Sequence, residues 1–353
     1  MESKRIGILT LPFEPNYGWM LQLWALYNTL CRDGYEVTVL DRRWNDKSPS
    51  VPKSIQRWVY YNVFCKQFTS FFNARFTKTS QLRCSEEMQR AALGLDTLII
   101  GSDQVWRIEN IRGADLNFFA DFLEGQQDVK RIAYAASFGN DKWAGTKEET
   151  GKISLLLRAF DLVSVREASG VTMCQDLFGI SAQHVIDPTM LLDAEVYKKQ
   201  LNLREHPAKT LTTYLLDNSA VKQAFVHQVA NKDSLSVVDL YPRKRGKFST
   251  YKSIVFWLES ILNADKVVID SFHGMVFSIL FNKQFVVLGN EKRGMARFQS
   301  LLEALGISDR LISGDLSSAD SLFDKKIDYS SVNYRLSHLR QDSLALLLKS
   351  LKK

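Results

Sequence analysis

The residues best able to do chemistry in this chain stand just beyond the ends of apolar runs, because ligands of open α/β sheets gather outside the carboxyl ends of the strands. The run Lys266-Val-Val-Ile leads into Asp270 and Ser271, then His273 and Gly274 at the start of an apolar helical stretch. A histidine at a helix N-terminus, beside a glycine, can serve as an acid or donate to a bound anion. Of five histidines, only His273 combines strand end, helix start and glycine. The run 162–165 ends at Arg166, whose planar fork matches carboxylate and phosphate, although taken by itself an arginine here reads as a generic surface residue. After the run 97–100, Asp103 and Gln104 can bond hydroxyls and Trp106 can stack on a sugar ring; alternatively Asp103 caps a helix and Trp106 fills core. Asn16, Tyr17 and Gly18 form a glycine-containing turn before a helix, where a phosphate or sugar can approach the backbone. The basic pair Lys292 and Arg293 follows the run 284–288, and lies beside the His273 turn if those two strands are neighbours.

Periodicity supplies the elements that must hold these groups. Residues 5–43 read as strand, glycine-containing loop, helix and strand. Leu21, Leu23, Leu26 and Leu30 populate the helix, and Gly34 ends it. Further strands are expected at 97–100, 131–135 and 162–165, and a second series at 184–186, 211–215, 236–240, 266–269 and 284–288. Strands alternating with helices predict an α/β protein of two Rossmann-like domains, each a parallel sheet covered by helices. The division expected is an N-terminal domain over 1–180, a C-terminal domain over 181–325 and a closing helix within 326–353, the last carrying Leu336, Leu339, Leu344, Leu347 and Leu351 at helical spacing. An insertion at about 50–90 carries Trp58, Tyr60, Tyr61, Phe64, Phe68, Phe71, Phe72 and Phe76 interleaved with Arg57, Lys66 and Arg75. Such a helix can lie on a membrane surface, or cover core or a dimer contact.

Composition narrows the class. With 353 residues and 46 Lys+Arg against 39 Asp+Glu, the chain is long enough for two cores and carries a modest excess of positive charge that favours anionic partners. Nucleic acid is not expected, since the longest basic run is Arg243-Lys244-Arg245 and the other cations are scattered. Cys31, Cys65, Cys84 and Cys174 are far apart, without the spacing of a zinc site or a disulfide framework. No run approaches the ~20 apolar residues of a membrane span. A cytoplasmic protein is expected, with the aromatic segment able to touch the inner face of the membrane.

Taken in order, several stretches resemble the polysaccharide pyruvyltransferase family: NYG with LQLWAL at 16–26, IIGSDQVW at 99–106, SVRE at 164–167, DPTMLL at 187–192, VVIDSFHGMVFSILF at 267–281 and RFQSLLEALG at 297–306. The resemblance implies a GT-B-like fold with the active site in the interdomain cleft. It implies phosphoenolpyruvate as donor substrate, no cofactor and no metal, and a product in which a pyruvate ketal bridges two hydroxyls of one sugar, as in exopolysaccharide and capsule biosynthesis. The acceptor would be a sugar or a lipid-linked oligosaccharide. By motif, Arg166 and His273 resemble the family's donor-site residues, with Ser271 and either Lys292 or Arg293 as further donor contacts. Asp103 resembles the acidic position near the acceptor, with Asn16, Tyr17, Gly18, Gln104 and Trp106 around it. The competing class is a GT-B glycosyltransferase using a nucleotide sugar, which would share the fold; no DxD is present. Trp19 and Met20 depart from the smaller residues that usually follow the NYG turn, and Phe256 from a common acidic residue.

Overall fold

The computed structural model describes residues 4–45, 51–217, 219–245, 248–289, 294–316 and 319–352, without the side chains of 51–54 and 245. The chain divides into two compact units: Met1–Ser54 with Phe72–Leu191 and His338–Lys353, and Ile55–Phe71 with Leu192–Ser337.

In the first unit, six strands form one parallel sheet in the order β2-β1-β3-β4-β5-β6: β1 (Arg5–Leu9), β2 (Glu36–Val39), β3 (Thr97–Ile100), β4 (Lys130–Ala136), β5 (Leu162–Val165) and β6 (Gln183–His184). The central strands are apolar and buried almost throughout, as a sheet covered on both faces requires. Ile8 lies opposite Ile99 and Ile99 opposite Ile132, so the carboxyl ends of β1, β3 and β4 align and their polar loops share one edge. The helix Tyr17–Arg32 connects β1 to β2, Lys147–Leu157 connects β4 to β5, and Ala168–Phe178 connects β5 to β6. The last turns of the helix Tyr329–Lys352 close the opposite edge: Lys4 Nζ donates to Leu351 O (2.6 Å) and Lys130 Nζ to Ser350 O (3.2 Å), cations on the carbonyls a helix end leaves over. Ser343 Oγ accepts from Ile186 N, and Arg340 Nε donates to Met190 O.

His184 corrects the sequence reading in one respect. Instead of opening the second series, β6 pairs with β5 at the edge of the first sheet, with Val165 opposite His184. A two-residue edge strand buries no apolar face of its own, so periodicity does not say which sheet takes it. The consequence is that Asp187 follows β6 directly beside the end of β5.

In the second unit, β7 (Thr210–Tyr214) and β8 (Ser236–Asp239) precede an antiparallel hairpin of β9 (Arg243–Arg245) and β10 (Phe248–Thr250), then β11 (Lys266–Ile269), β12 (Gln284–Leu288) and β13 (Leu311–Ile312). The main sheet is parallel, in the order β13-β12-β11-β7-β8. Leu211, Val268 and Val286 on adjacent strands pack with Phe225, Val226 and Val229 of the helix Ala220–Asp233. The aromatic stretch Ile55–Phe71 packs on the hairpin region, with Phe64 4.5 Å from Phe248 and Phe68 5.3 Å from Tyr251.

Candidate active site

Arg166 begins where β5 ends, its backbone N–H donating to Ala136 O (3.2 Å) at the end of β4. Its side chain is 0% exposed, which removes the surface alternative. Nη1 donates to Asp187 Oδ2 (2.6 Å) and Nη2 to Asp103 Oδ1 (3.3 Å). Burial by itself would lower the guanidinium pKa, but Asp187, Asp103 and Glu167 outweigh it and hold the group above its ordinary value. A fixed positive charge therefore stands at the sheet edge. Asp187 is itself held, Oδ1 accepting from Thr189 N (3.0 Å) and Thr189 Oγ1 (2.6 Å). Glu167 turns the other way, Oε1 accepting from Phe138 N (2.7 Å) and Ser137 Oγ (3.1 Å), and so ties down the loop after β4.

Asp103 does not cap a helix. Its φ of 73° lies in the left-handed region that Asp tolerates better than most residues, and this backbone turns the carboxylate towards Arg166 while Oδ1 also accepts from Gln104 N (2.9 Å). Ser102 is fully buried behind it: Oγ accepts from Asp103 N (2.6 Å) and donates to Asp187 Oδ2 (3.4 Å), while its N–H donates to Gln22 Oε1 (3.2 Å). Gln22 Nε2 in turn donates to Trp19 O (3.0 Å) and Thr10 Oγ1 (3.3 Å), and Thr10 Oγ1 donates to Ser102 O (3.0 Å). A continuous buried polar network thus links the ends of β1, β3 and β5 to the first helix. Sequence reasoning missed Gln22 and Asp187; an amide inside the apolar run LQLWAL and a carboxylate just past a strand were the available signals.

Beside this network is a cavity of about 300 Å³ lined by Glu14, Asn16, Trp19, Trp44, Asp103 and Asn110, among others. Partial desolvation, then the charge of Asp103, raises the Glu14 pKa above its ordinary value, although the residue keeps contact with solvent. Asn16 caps the helix Tyr17–Arg32, Oδ1 accepting from Gly18 N (2.9 Å) and Trp19 N (3.2 Å). Tyr17 and Gly18 are buried in that first turn, and Trp19 is held by Nε1 donating to Leu11 O (2.8 Å). Trp106 takes its core alternative: fully buried, it donates from Nε1 to Phe118 O (2.9 Å) and stacks on Phe119 at 5.6 Å, leaving no ring face for a sugar. Gln104 is half-buried and accepts from Arg107 Nη1 (3.3 Å). Of the expected acceptor residues, the cavity brings Asn16 and Asp103 together and adds Glu14, Trp19, Trp44 and Asn110.

In the second unit, Ser271 caps the helix Phe272–Leu280, Oγ accepting from Gly274 N (3.1 Å). A Cβ at Gly274 would stand 2.5 Å from that Oγ, so the cap requires glycine. Asp270 is buried and accepts from Leu216 N (2.6 Å), Asp217 N (3.0 Å) and Lys222 Nζ (2.8 Å), fastening the end of β11 to the loop after β7. His273, half-buried, sits on this braced turn with its ring 5.3 Å from that of Phe272. The strands β11 and β12 are neighbours, Val268 opposite Val286; Lys292 and Arg293 lie outside the described residues.

The family model for polysaccharide pyruvyl transferase matches residues 16–292, from the Asn16 turn past His273. The chain belongs to the polysaccharide pyruvyl transferase family. It is thus a transferase of polysaccharide biosynthesis. No curated protein matches the chain. Among solved structures, the UDP-GlcNAc 2-epimerase from Neisseria meningitidis bound to UDP-GlcNAc is similar to the transferase at 9% identity over 99% of both chains, with a TM-score of 0.56. The UDP-N-acetylglucosamine 2-epimerase from Rickettsia bellii is similar at 10% identity over 99% of this chain and 97% of that one (TM-score 0.53). The spinosyn forosaminyltransferase SpnP is similar at 12% identity over 97% of this chain and 95% of that one (TM-score 0.50). At such identities the likeness is one of fold: the transferase has the two Rossmann-like units of the GT-B type.

Proposed function

We propose that the transferase moves the enolpyruvyl unit of phosphoenolpyruvate onto two hydroxyls of one sugar, forming a pyruvate ketal and releasing phosphate. The acceptor is a hexose such as galactose, joined at its 4 and 6 hydroxyls, within a polysaccharide precursor or lipid-linked oligosaccharide. The observation supporting this reading is the buried Arg166, charged and braced by two carboxylates, one of which, Asp103, lines a sugar-sized cavity with Glu14, Asn16 and two tryptophans.

In the proposed reaction, protonation of the donor methylene makes its C2 electrophilic. The first sugar hydroxyl forms a C–O bond there, and loss of phosphate lets the second hydroxyl close the ring. One hydroxyl proton ends on the new methyl group and the other on phosphate, so the protein must hold protons briefly and return them. Glu14, with its raised pKa, suits the acceptance of a hydroxyl proton. Asp103, tied to Arg166, orients the acceptor. Arg166, buried between Asp187 and Asp103, serves the donor side through the fixed positive charge it places behind Asp103, and His273 on its capped turn supplies a proton or a hydrogen bond to phosphate, with Ser271 holding that turn and Lys292 or Arg293 adding charge. The donor is consumed as substrate, and the proposed steps run on side-chain acids and bases without cofactor or metal.

Incubation with phosphoenolpyruvate and a panel of galactosides, with mass analysis of the product and phosphate release, tests the reading. A ketal-bearing sugar is expected, absent with Arg166→Ala or His273→Ala. Sugar transfer from a nucleotide sugar in the same panel, with no ketal, would assign the chain to glycosyl transfer instead.

A further inference from the structure

The cap formed by Ile55–Phe71 and the hairpin β9-β10 has an unusual composition. Residues 55–71 and 241–252 contain seven basic residues and no acidic one. In the whole chain, Lys+Arg exceed Asp+Glu by the same number, 46 against 39, so the entire net charge of +7 resides in these two stretches and the rest balances.

The structure brings the two stretches together. Val51–Val59 is α-helical and Tyr60–Phe64 continues as a wider turn, with Cys65 N donating to Tyr60 O (2.9 Å) five residues back. One face is anchored: Tyr60 and Phe64 pack on Phe248 at 5.7 and 4.5 Å, and Phe68 on Tyr251. The hairpin that carries Arg243 and Lys244 is therefore fixed to the aromatic segment. Three large apolar residues not used in anchoring face solvent: Ile55 is 60% exposed, Trp58 63% and Val63 58%. Ile55 and Trp58 share a helical face, and Val63 follows one wide turn later. Arg243, Lys244, Lys66 and Lys252 are exposed in the same unit. Solvent-facing aliphatic and indole groups beside a local excess of basic over acidic residues match an interface with apolar material below and negative charge above, where Trp prefers to sit.

We propose that this cap docks the protein on an anionic membrane surface, with Trp58, Ile55 and Val63 entering the headgroup boundary and Arg57, Lys66, Arg243 and Lys244 meeting lipid phosphates. An acidic polymer would satisfy the cations and leave the three apolar groups in water, so a lipid surface fits the observations better. Docking is peripheral: among the described residues, no helix is long and apolar enough to cross a membrane.

Co-sedimentation with vesicles tests this without donor or acceptor, so its outcome is separate from that of the ketal reading. The protein should pellet with equimolar phosphatidylcholine and phosphatidylglycerol, much less with phosphatidylcholine alone, and be released by salt. Arg243→Gln with Lys244→Gln should weaken binding about 25-fold, about fivefold per lost charge. Trp58→Ser should weaken it about tenfold or more, also at high salt. All three side chains are exposed, and unchanged thermal melting will show that the fold survives. No vesicle binding, or binding unaffected by these substitutions or equal on neutral lipid, would overturn the proposal. So would self-association abolished by Trp58→Ser, which would make a second copy the occupant, or binding to polyglutamate in place of vesicles.

Discussion

Neutralising Asp187 tests whether the Arg166 site is built as described. The two side chains are both 0% exposed and meet at 2.6 Å, an attraction of about 6 kcal/mol at an effective dielectric of about 20. Much of that offsets the desolvation of two buried charges, so the useful quantity is the cost of removing one partner, about 3–5 kcal/mol. In Asp187→Asn the remaining amide oxygen still accepts from Thr189, but an NH₂ group faces the guanidinium, donor against donor. Asp103 is 14% exposed and lies at 3.3 Å, so Asp103→Asn, which keeps a residue tolerant of positive φ, should cost no more than about 2 kcal/mol. For a folding unit of roughly 200 residues, each kcal/mol moves the melting temperature by about 2–4 °C, so Asp187→Asn should melt on the order of 10 °C below the wild type. Thermal melting followed by circular dichroism, with urea titration as a check, measures both variants. If Asp187→Asn melts within about 2 °C of the wild type, or Asp103→Asn costs more, the buried pair is not what holds this edge. Arg166→Met combined with Asp187→Leu should recover much of the stability while transfer stays lost, separating structural from chemical roles.

Three other outcomes follow from local geometry. Glu14 holds its proton in the folded state to a higher pH than in the unfolded chain, so its favourable contribution is complete below the unfolded carboxylate range and disappears as pH rises through the folded pKa. Glu14→Gln should therefore melt higher than the wild type at neutral pH and show no advantage in acid; a pH-independent difference would refute the assignment. Gly274→Ala places its methyl 2.5 Å from Ser271 Oγ and 3.1 Å from Ile269 Cγ2, and should cost about 2–4 kcal/mol in urea unfolding through a broken cap and overpacking. Cys65 and Cys174 are buried, and burial followed by Glu167 pushes the Cys174 thiol up to about 12. Ellman's reagent should reach exposed Cys31 in the native protein, slowly because partial desolvation raises its thiol pKa, and Cys174 only after denaturation; native labelling of Cys174 would show that the core around Phe178 opens.

The alternation of buried strands and helices was readable because a parallel sheet covered on both faces needs continuous apolar runs, and Thr97–Ile100, Leu162–Val165 and Lys266–Ile269 each stand where those runs predict. The turns bearing Asp103, Arg166 and His273 were readable for the same reason, since each follows such a run. Partnership was not. Nothing local says that β6 joins the first sheet, yet that pairing brings Asp187 to Arg166. Trp106 shows a second limit: an indole after a strand has the same sequence context whether it faces a ligand or Phe119, and only burial decides. Glu14 was invisible because its altered proton affinity arises from residues that fold around it.

The helix Tyr329–Lys352 also bears on how the chain is made. All six strands of the first sheet have been synthesised once His184 has left the ribosome, but Lys4, Lys130 and Ile186 find their partners only at residues 343–351. All of the second unit except Ile55–Phe71 is translated in between, roughly 10–30 seconds at ordinary elongation rates. During that time the nascent first sheet has an edge awaiting its covering helix. Vectorial synthesis therefore favours completion of the second unit before the first, and a stalled or truncated chain that ends before Ser343 would present that uncovered edge to chaperones and proteases.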